Sequence, residues 1–221
     1  SEPRRLLADG AVHVGTSPAY REGLYTLQNS SSMAAVTALS PMPGEKVLDL
    51  CAAPGGKTTM MAEIMENRGR ILALDIYPHK TALIEKAAKR LGITMIETKV
   101  WDAGEKIPEW EGRADRVLAD VPCSGIGVIH KKPDIKWRRT PEDITVLCGI
   151  QKRILETAAC YVRPEGILVY STCTILQEEN QMQIAAFLKK HSDFTLESEQ
   201  LLQTYQTGGS GFYIAKLCRK G

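Results

Sequence analysis

The chain has 221 residues, of which 43% are hydrophobic and 24% charged, the proportions of an ordinary globular domain with enough apolar material for a core. No apolar run reaches the roughly 18 residues of a membrane span, so that class is excluded. Lys and Arg number 28 against 26 Asp and Glu, and the charge is unevenly placed. The window 131–139 holds five basic residues and one acid, while the rest of the chain nets −2.

The cysteines give information on compartment and metal content. The six cysteines form no CxxC pair, and no histidine spacing is typical of a zinc site, so we predict no metal. A core of this size does not depend on disulfides, so we expect the chain to lie in a reducing cytoplasm. We also expect it to be a monomer. Three cysteines are expected to be buried small hydrophobes: Cys148, Cys160 and Cys218. The other three each lie where a predicted strand ends: Cys51, Cys123 and Cys173.

Strand-like runs alternate with helical patterns along the chain, which predicts a parallel sheet built from βαβ units. The predicted strands are 46–51, 70–75, 93–98, 115–120 and 166–171, with closing strands at 194–196 and 212–217. Helices are predicted over 57–66, 78–91 and 177–190, after Ser30, and after a cap at Thr140. Gly208 to Gly211 are expected to form a flexible turn. The fold class is α/β: a doubly wound, mainly parallel, Rossmann-like sheet with helices on both faces and a C-terminal antiparallel hairpin. We expect residues 1–45 to be a lead-in with a short helix, and 46–221 to be one catalytic domain.

The loop after the first predicted strand is the first candidate binding site, since ligands of such sheets lie beyond the carboxyl ends of the strands. A P-loop would need glycine where Cys51 stands, and the dinucleotide fingerprint G-x-G-x-x-G is absent. S-adenosylmethionine remains, because its carboxylate suits a small-residue loop before a helix. Asp75 would then bind the ribose, unless it only caps the next helix, and Asp102 would accept from the adenine amino group. The predicted loop residues are Cys51, Ala52, Ala53, Pro54, Gly55, Gly56 and Lys57.

A second candidate site follows the fourth and fifth strands. Adjacent parallel strands would bring Cys123 and Cys173 to one rim beside Asp120. A thiolate that adds to C6 of a pyrimidine makes C5 nucleophilic enough to take a methyl group. Asp120, if protonated, would stabilise the charge that develops on the base, and a cation such as Lys57 would lower the pKa of the nucleophile. The residues alone leave open which cysteine attacks, and whether the base is cytosine or uracil.

Three segments resemble the Sun/Fmu family of RNA cytosine-5 methyltransferases: DLCAAPGGKT (49–58), ADVPCSGIGVIHKKPDIKW (119–137) and YSTCTILQEEN (170–180). Gln28 with Ser31-Ser32-Met33, and GFYIAKL at 211–217, are similar too. The resemblance implies an S-adenosylmethionine-dependent methyltransferase fold, a cytosine of small-subunit (16S) ribosomal RNA as target, and Cys173 as nucleophile. It implies that Cys123 assists release, and that residues 51–57, Asp75, Asp102 and Asp120 line the cofactor site. Members of the bacterial branch usually carry an N-terminal RNA-binding domain of the NusB type, so we expect a fragment.

The basic window lies between the Pro-Cys loop and the next helix, and we predict that it binds RNA phosphates while its tryptophan stacks on a base. The residues concerned are Lys131, Lys132, Lys136, Trp137, Arg138 and Arg139. The alternative is a solvated loop anchored by a buried Trp137. Two other functions also stay open: an RNA-binding fragment that keeps the fold without turnover, and a methyltransferase for a substrate other than RNA.

Overall fold

The computed structural model describes residues 14–203 and 210–221. Over these ranges, the strands form one seven-stranded sheet in the order β3-β2-β1-β4-β5-β7-β6. The strands are β1 (Lys46–Asp49), β2 (Arg70–Asp75), β3 (Ile96–Val100), β4 (Ala114–Asp120), β5 (Val162–Thr172), β6 (Phe194–Leu202) and β7 (Phe212–Arg219). Strands β1 to β5 pair in parallel, and β7 runs antiparallel to β5 and β6. The predicted mainly parallel sheet with a C-terminal antiparallel hairpin is confirmed.

The order of the strands reverses between β1 and β4, and this is where an open α/β sheet forms its ligand crevice. Strand β1 ends at Asp49, β4 ends at Asp120, and β5 ends one residue before Cys173. The sequence therefore delivers an acid, a second acid and a thiol to the same rim.

Helices cover both faces of the sheet. They are α1 (Pro18–Arg21), α2 (Ser30–Leu39), α3 (Gly56–Ile64), α4 (Pro78–Arg90), α5 (Ile135–Arg138), α6 (Pro141–Tyr161) and α7 (Gln181–Lys190). On one face the strands pack against Val36 of α2, Met61 of α3 and Ile84 of α4. On the other face they pack against Leu155 of α6 and Phe187 of α7. The helix expected in the lead-in is thus α2, and it belongs to the same core as the sheet.

The long helix α6 begins where its sequence predicts. Thr140 Oγ1 accepts from the Asp143 N–H at 3.3 Å, and Asp143 Oδ2 accepts in return from the Thr140 N–H at 2.9 Å. This reciprocal capping box satisfies two donors that a helix start otherwise leaves unpaired.

Several element boundaries differ from prediction. Strand β3 starts at Ile96, because the Ile93 N–H still donates to the Ala88 carbonyl at the end of α4. The predicted helix 177–190 is divided at Asn180, with a 3-10 turn before it and α7 after it. The expectation of three buried cysteines is wrong, because the side chains of Cys148, Cys160 and Cys218 are partly exposed.

Two expectations fall partly on residues that the structure does not describe. Residues 208 and 209 of the predicted turn, and residues 1–13 of the predicted lead-in, lie outside the described residues. Among the residues that are described, no helix combines the length and apolar character that a membrane crossing requires.

Candidate active site

An ion pair joins the start of α3 to the end of β4. Lys57, in the first turn of α3, donates from Nζ to Asp120 Oδ2 at 2.6 Å and to Ser32 Oγ at 3.1 Å. Asp120 Oδ1 accepts from the Ser171 hydroxyl at 2.7 Å. Burial lowers the pKa of Lys57, but the charge and hydrogen bond of Asp120 outweigh it and raise that pKa above its ordinary value. The raised pKa keeps Lys57 an ammonium, and Asp120 holds that ammonium in place.

Asp49 is a buried acid that sequence reasoning missed as a site residue. Its side chain sits at the end of β1, is 1% exposed and accepts from the Thr58 hydroxyl at 2.7 Å. Burial raises the pKa of Asp49 to about 7, although the Thr58 bond and the charge of Lys57 oppose the rise. An acid that closes an otherwise apolar strand is the sequence signal that could have identified it.

The two cysteines predicted for catalysis meet at this rim. Their Sγ atoms are 3.2 Å apart, and the Cys173 N–H lies 3.3 Å from Cys123 Sγ. The hydrogen bond from the Cys123 thiol lowers the pKa of Cys173, with help from the charge of Lys57 and against burial and the charge of Asp120. The same hydrogen bond, together with burial, raises the pKa of Cys123 well above its usual range. Cys173 is therefore the more acidic thiol, which favours Cys123 as the donor of the hydrogen bond between them.

Gly127 fixes the backbone beside the thiols. Its N–H donates to the Cys173 carbonyl at 3.0 Å, and its carbonyl accepts from the Gly211 N–H at 2.8 Å. A Cβ added at Gly127 would lie 2.1 Å from the Gly211 oxygen, so only glycine fits here. The loops that follow β4 and β5 are thus joined to the start of β7.

The loop 51–57 has the form expected of a cofactor cradle. Gly55, with φ of 102°, precedes α3, and a Cβ there would lie 3.2 Å from Ile84 Cα. Across the loop, the Gln28 side chain lies 3.8 Å from where a Cβ of Gly56 would stand. Within the described part of the chain, Gln28 Nε2 is buried without a hydrogen-bond partner. An unpaired donor beside a glycine backbone and a free helix start suits a carboxylate such as that of S-adenosylmethionine.

The structure gives the two other predicted cofactor acids different surroundings. Asp75 ends β2, is 8% exposed and accepts from the Tyr77 N–H at 3.0 Å, so it does cap the turn before α4. Asp102 accepts from the Gly104 N–H and from Arg153 Nη2, both at 2.8 Å. A ligand amino group at Asp102 would therefore share a carboxylate that is already paired.

The basic window forms an exposed lip next to the thiols. Its predicted RNA-contacting residues are all exposed: Lys131, Lys132, Lys136, Trp137, Arg138 and Arg139. The alternative of a buried tryptophan anchor is wrong, because Trp137 is 83% exposed. Arg139 Nε donates to the Ser124 carbonyl at 3.2 Å, one residue beyond Cys123. The lip is therefore attached to the loop that carries one of the thiols.

The fold and the rim together define a class of protein. An S-adenosylmethionine-dependent O-methyltransferase of Thermotoga maritima superposes on 89% of this chain and 67% of its own with a TM-score of 0.59 and 13% identity, a likeness of fold alone. The chain has the Rossmann-like fold of S-adenosylmethionine-dependent methyltransferases, and S-adenosylmethionine is the cofactor of that class.

The family can be stated more narrowly. The model of the 16S rRNA methyltransferase RsmB/F family matches residues 36–218, and the chain belongs to this family. The resemblance seen in the sequence is thereby confirmed.

Individual relatives agree with this assignment. The probable ribosomal RNA small subunit methyltransferase B of Bacillus subtilis is 41% identical over 91% of this chain and 49% of its own length. The solved structure of PH0851 is 38% identical, with a TM-score of 0.90 over 94% of this chain and 50% of its own. NSun6 from Pyrococcus horikoshii, solved with SFG, is 30% identical, with a TM-score of 0.87 over 96% of this chain and 57% of its own. The chain spans about half the length of the curated relatives it matches.

Proposed function

We propose that this chain is the catalytic domain of an enzyme that methylates C5 of a cytosine in 16S ribosomal RNA through a covalent adduct with Cys173. The observation that carries the proposal is the thiol pair, whose sulfur atoms lie 3.2 Å apart and in which the pKa of Cys173 is lowered by its neighbour. Methyltransferases that act on oxygen or nitrogen need no such nucleophile, whereas attack at pyrimidine C6 does. The names of the relatives support ribosomal RNA as the substrate.

The cofactor side of the proposal assigns the loop 51–57, Gln28 and Asp75. Gln28 Nε2 and the free N–H groups of α3 would hold the carboxylate of S-adenosylmethionine, and Asp75 would accept from the ribose hydroxyls. Asp102 would border the adenine, and Asp120 would line the site near the methyl group. When bound, S-adenosylmethionine supplies an electrophilic methyl group on a sulfonium.

The protein's own groups then account for the first half of the reaction. The Cys173 sulfur forms a bond to C6 of the cytosine, and the C5–C6 π electrons move toward N3 and O2 of the base. The Lys57 ammonium, held by Asp120 at 2.6 Å, is the donor that can offset this negative charge. C5 becomes the nucleophile that takes the methyl group.

Release reverses the addition. A base removes the proton from C5, the C5–C6 double bond re-forms, and the Cys173–C6 bond breaks with its electron pair going to sulfur. The departing thiolate then regains its hydrogen bond from Cys123, which stabilises the free thiolate before attack as well as after departure, so we expect the adduct to persist without Cys123. The raised pKa of Cys123 keeps that residue a thiol that can donate this bond.

The basic lip is the proposed RNA contact. The enzyme would act in the cytoplasm, where ribosomal RNA is made, and it would be a monomer. Five cationic side chains and an exposed tryptophan stand within nine residues, 131–139, next to the Cys123 loop. Phosphate contacts of this kind position an RNA, and an exposed aromatic ring can stack on an unpaired base.

The test uses tritiated S-adenosylmethionine, unmodified 16S ribosomal RNA and analysis of the labelled nucleosides. We expect 5-methylcytidine from the wild type, none from Cys173→Ala, and from Cys123→Ala a protein–RNA adduct that persists in denaturant. Cys148→Ala is the matched control, because this partly exposed cysteine lies on α6 outside the thiol pair. Full transfer by Cys173→Ala would refute the covalent route, and a different labelled nucleoside would refute the target. Binding of RNA and cofactor without any transfer would favour an inactive RNA-binding fragment.

A further inference from the structure

Two buried polar residues, Glu179 and Asn180, lie behind the thiol pair. Both side chains are 0% exposed. Glu179 ends the 3-10 turn Gln177–Glu179, and Asn180 separates that turn from α7. A carboxylate without solvent needs compensating donors, and the identity of those donors shows what this pair of residues does.

Glu179 holds the loop that carries Cys123. Its Oε1 accepts from the Ser124 N–H and from Gln151 Nε2, both at 2.8 Å, and its Oε2 accepts from the Ser124 hydroxyl. Gln151 also donates to the Pro122 carbonyl at 3.0 Å. The residues on both sides of Cys123 are therefore fixed, directly or through one amide, by a single buried carboxylate.

Asn180 holds the loop that carries Cys173. Its Oδ1 accepts from the Thr172 hydroxyl at 2.6 Å, and its Nδ2 donates to the Thr174 carbonyl at 3.1 Å. The two loops are also joined to each other, because the Ser124 and Thr174 hydroxyl oxygens lie 2.8 Å apart. The neighbours of both thiols are thus fastened to two consecutive residues.

We propose that Glu179 and Asn180 are positioning residues that keep the loops of Cys123 and Cys173 in register, so that the two sulfur atoms stay in hydrogen-bond contact. The consequence for turnover rests on the proposed function, whereas the consequence for the thiols does not. Each of these side chains bonds to residues that adjoin a cysteine, and the geometry fits a device for holding thiols better than a contribution to the core. Burying a charge and an amide is a poor way to gain stability alone.

The decisive variant is Glu179→Gln. Glutamine has one acceptor oxygen where glutamate has two, so part of the hold on Ser124 and Gln151 is lost. If the sulfur atoms then separate, Cys173 loses its donor and its pKa rises. Removal of a buried negative charge acts in the opposite direction, because it favours a nearby thiolate. A rise in the pKa of Cys173 therefore indicates that the two sulfur atoms have moved apart, whereas a fall indicates only the loss of the negative charge.

The measurement is the pH dependence of Cys173 alkylation by iodoacetamide, followed by peptide mass spectrometry on the folded full chain without RNA. We expect the midpoint for Cys173 to rise by about one pH unit in Glu179→Gln, the loss of one hydrogen bond to a charged group. Asn180→Ala, which changes no charge, should shift the midpoint in the same direction. The other ionisable groups that face the pair are Lys57 from α3, Asp120 at the end of β4 and Tyr170 on β5, and both variants retain them.

Two further variants keep the result interpretable. Glu156→Gln makes the same change at a carboxylate that contacts His191 and Lys190, and it should leave the midpoint unchanged. Ser124→Ala is a milder test should Glu179→Gln fail to fold, as judged by circular dichroism, and it should raise the midpoint by a smaller amount. An unchanged or lowered midpoint in the folded variants overturns the proposal. In RNA methylation assays, we expect kcat to fall in the variants while the KM for S-adenosylmethionine stays constant. If the alkylation midpoint of Cys173 shifts as expected but neither the wild type nor the variants methylate RNA, the result counts against the proposed function and not against the positioning role.

Discussion

Replacing Asp49 by asparagine should remove a large part of the pH dependence of folding stability. In the unfolded chain this carboxyl ionises near its ordinary pKa of 3.8, whereas in the fold burial holds its proton to about 7. Between those pH values the native state binds more protons than the unfolded state, so the free energy of unfolding falls as the pH rises. Above the native pKa the full penalty applies.

The size of the effect follows from the two pKa values of Asp49, whose side chain is only 1% exposed. Ionising it in the native state costs about 4 kcal/mol in full, of which about 2.5 kcal/mol should appear between pH 5 and pH 8. An asparagine side chain at this position has no proton to release. Between pH 5 and pH 8 the free energy of unfolding of the variant should therefore fall by about 2.5 kcal/mol less than that of the wild type.

Urea unfolding followed by circular dichroism at pH 5, 6, 7 and 8 measures this difference. Because the two proteins differ only at Asp49, the difference between their slopes reports this carboxyl. Asp134→Asn is the matched control, since that carboxylate is 76% exposed and should leave the wild-type slope intact. Parallel curves for the wild type and Asp49→Asn would refute the assignment of a proton to this buried acid.

Two further predictions concern the rim. Reversing the charges of Lys131, Lys132 and Arg139 should weaken RNA binding and leave cofactor affinity unchanged. The slope of log K against log salt concentration should decrease by about 0.7 for each phosphate that is no longer neutralised. Filter binding at several salt concentrations measures this slope, and an unaltered RNA affinity at low salt would contradict the prediction. Lys57→Met should leave Asp120, 23% exposed, without its cation and cost on the order of 2 kcal/mol in urea unfolding. It should also raise the pH midpoint of Cys173 alkylation, because the charge of Lys57 lowers the pKa of that thiol. An unchanged free energy of unfolding together with an unchanged midpoint would show that the ion pair is unimportant.

Much of the fold could be predicted from the sequence, because its signals are local. Apolar runs closed by small or acidic residues mark β1, β2, β4 and β5, and parallel pairing brings their ends to one rim. That reasoning correctly placed Asp120, Cys123 and Cys173 at one rim of the sheet. Strand β6 extends to Leu202, well beyond the predicted 194–196, because its polar residues at the sheet edge hide the alternation of a strand.

The chemistry within the rim was less accessible from sequence. Local patterns do not report which thiol donates to which, since the answer depends on a 3.2 Å contact between residues 50 positions apart. The sequence also did not reveal that Lys57 contacts Asp120 at 2.6 Å, because the two residues are 63 positions apart. Glu179 and Asn180 looked like the polar start of a helix, because their partners are brought close only by the packing of α6 and the loops after β4 and β5.

The thiol pair also bears on the life of the chain before it is complete. Cys123 and Cys173 leave the ribosome 50 residues apart, and each alone is an ordinary, weakly acidic thiol. Only when β5 docks beside β4 do the two sulfur atoms meet and the pKa of Cys173 fall. A chain in which these strands are apart therefore lacks this activated thiol, so the reactivity of Cys173 depends on the packing of β4 against β5.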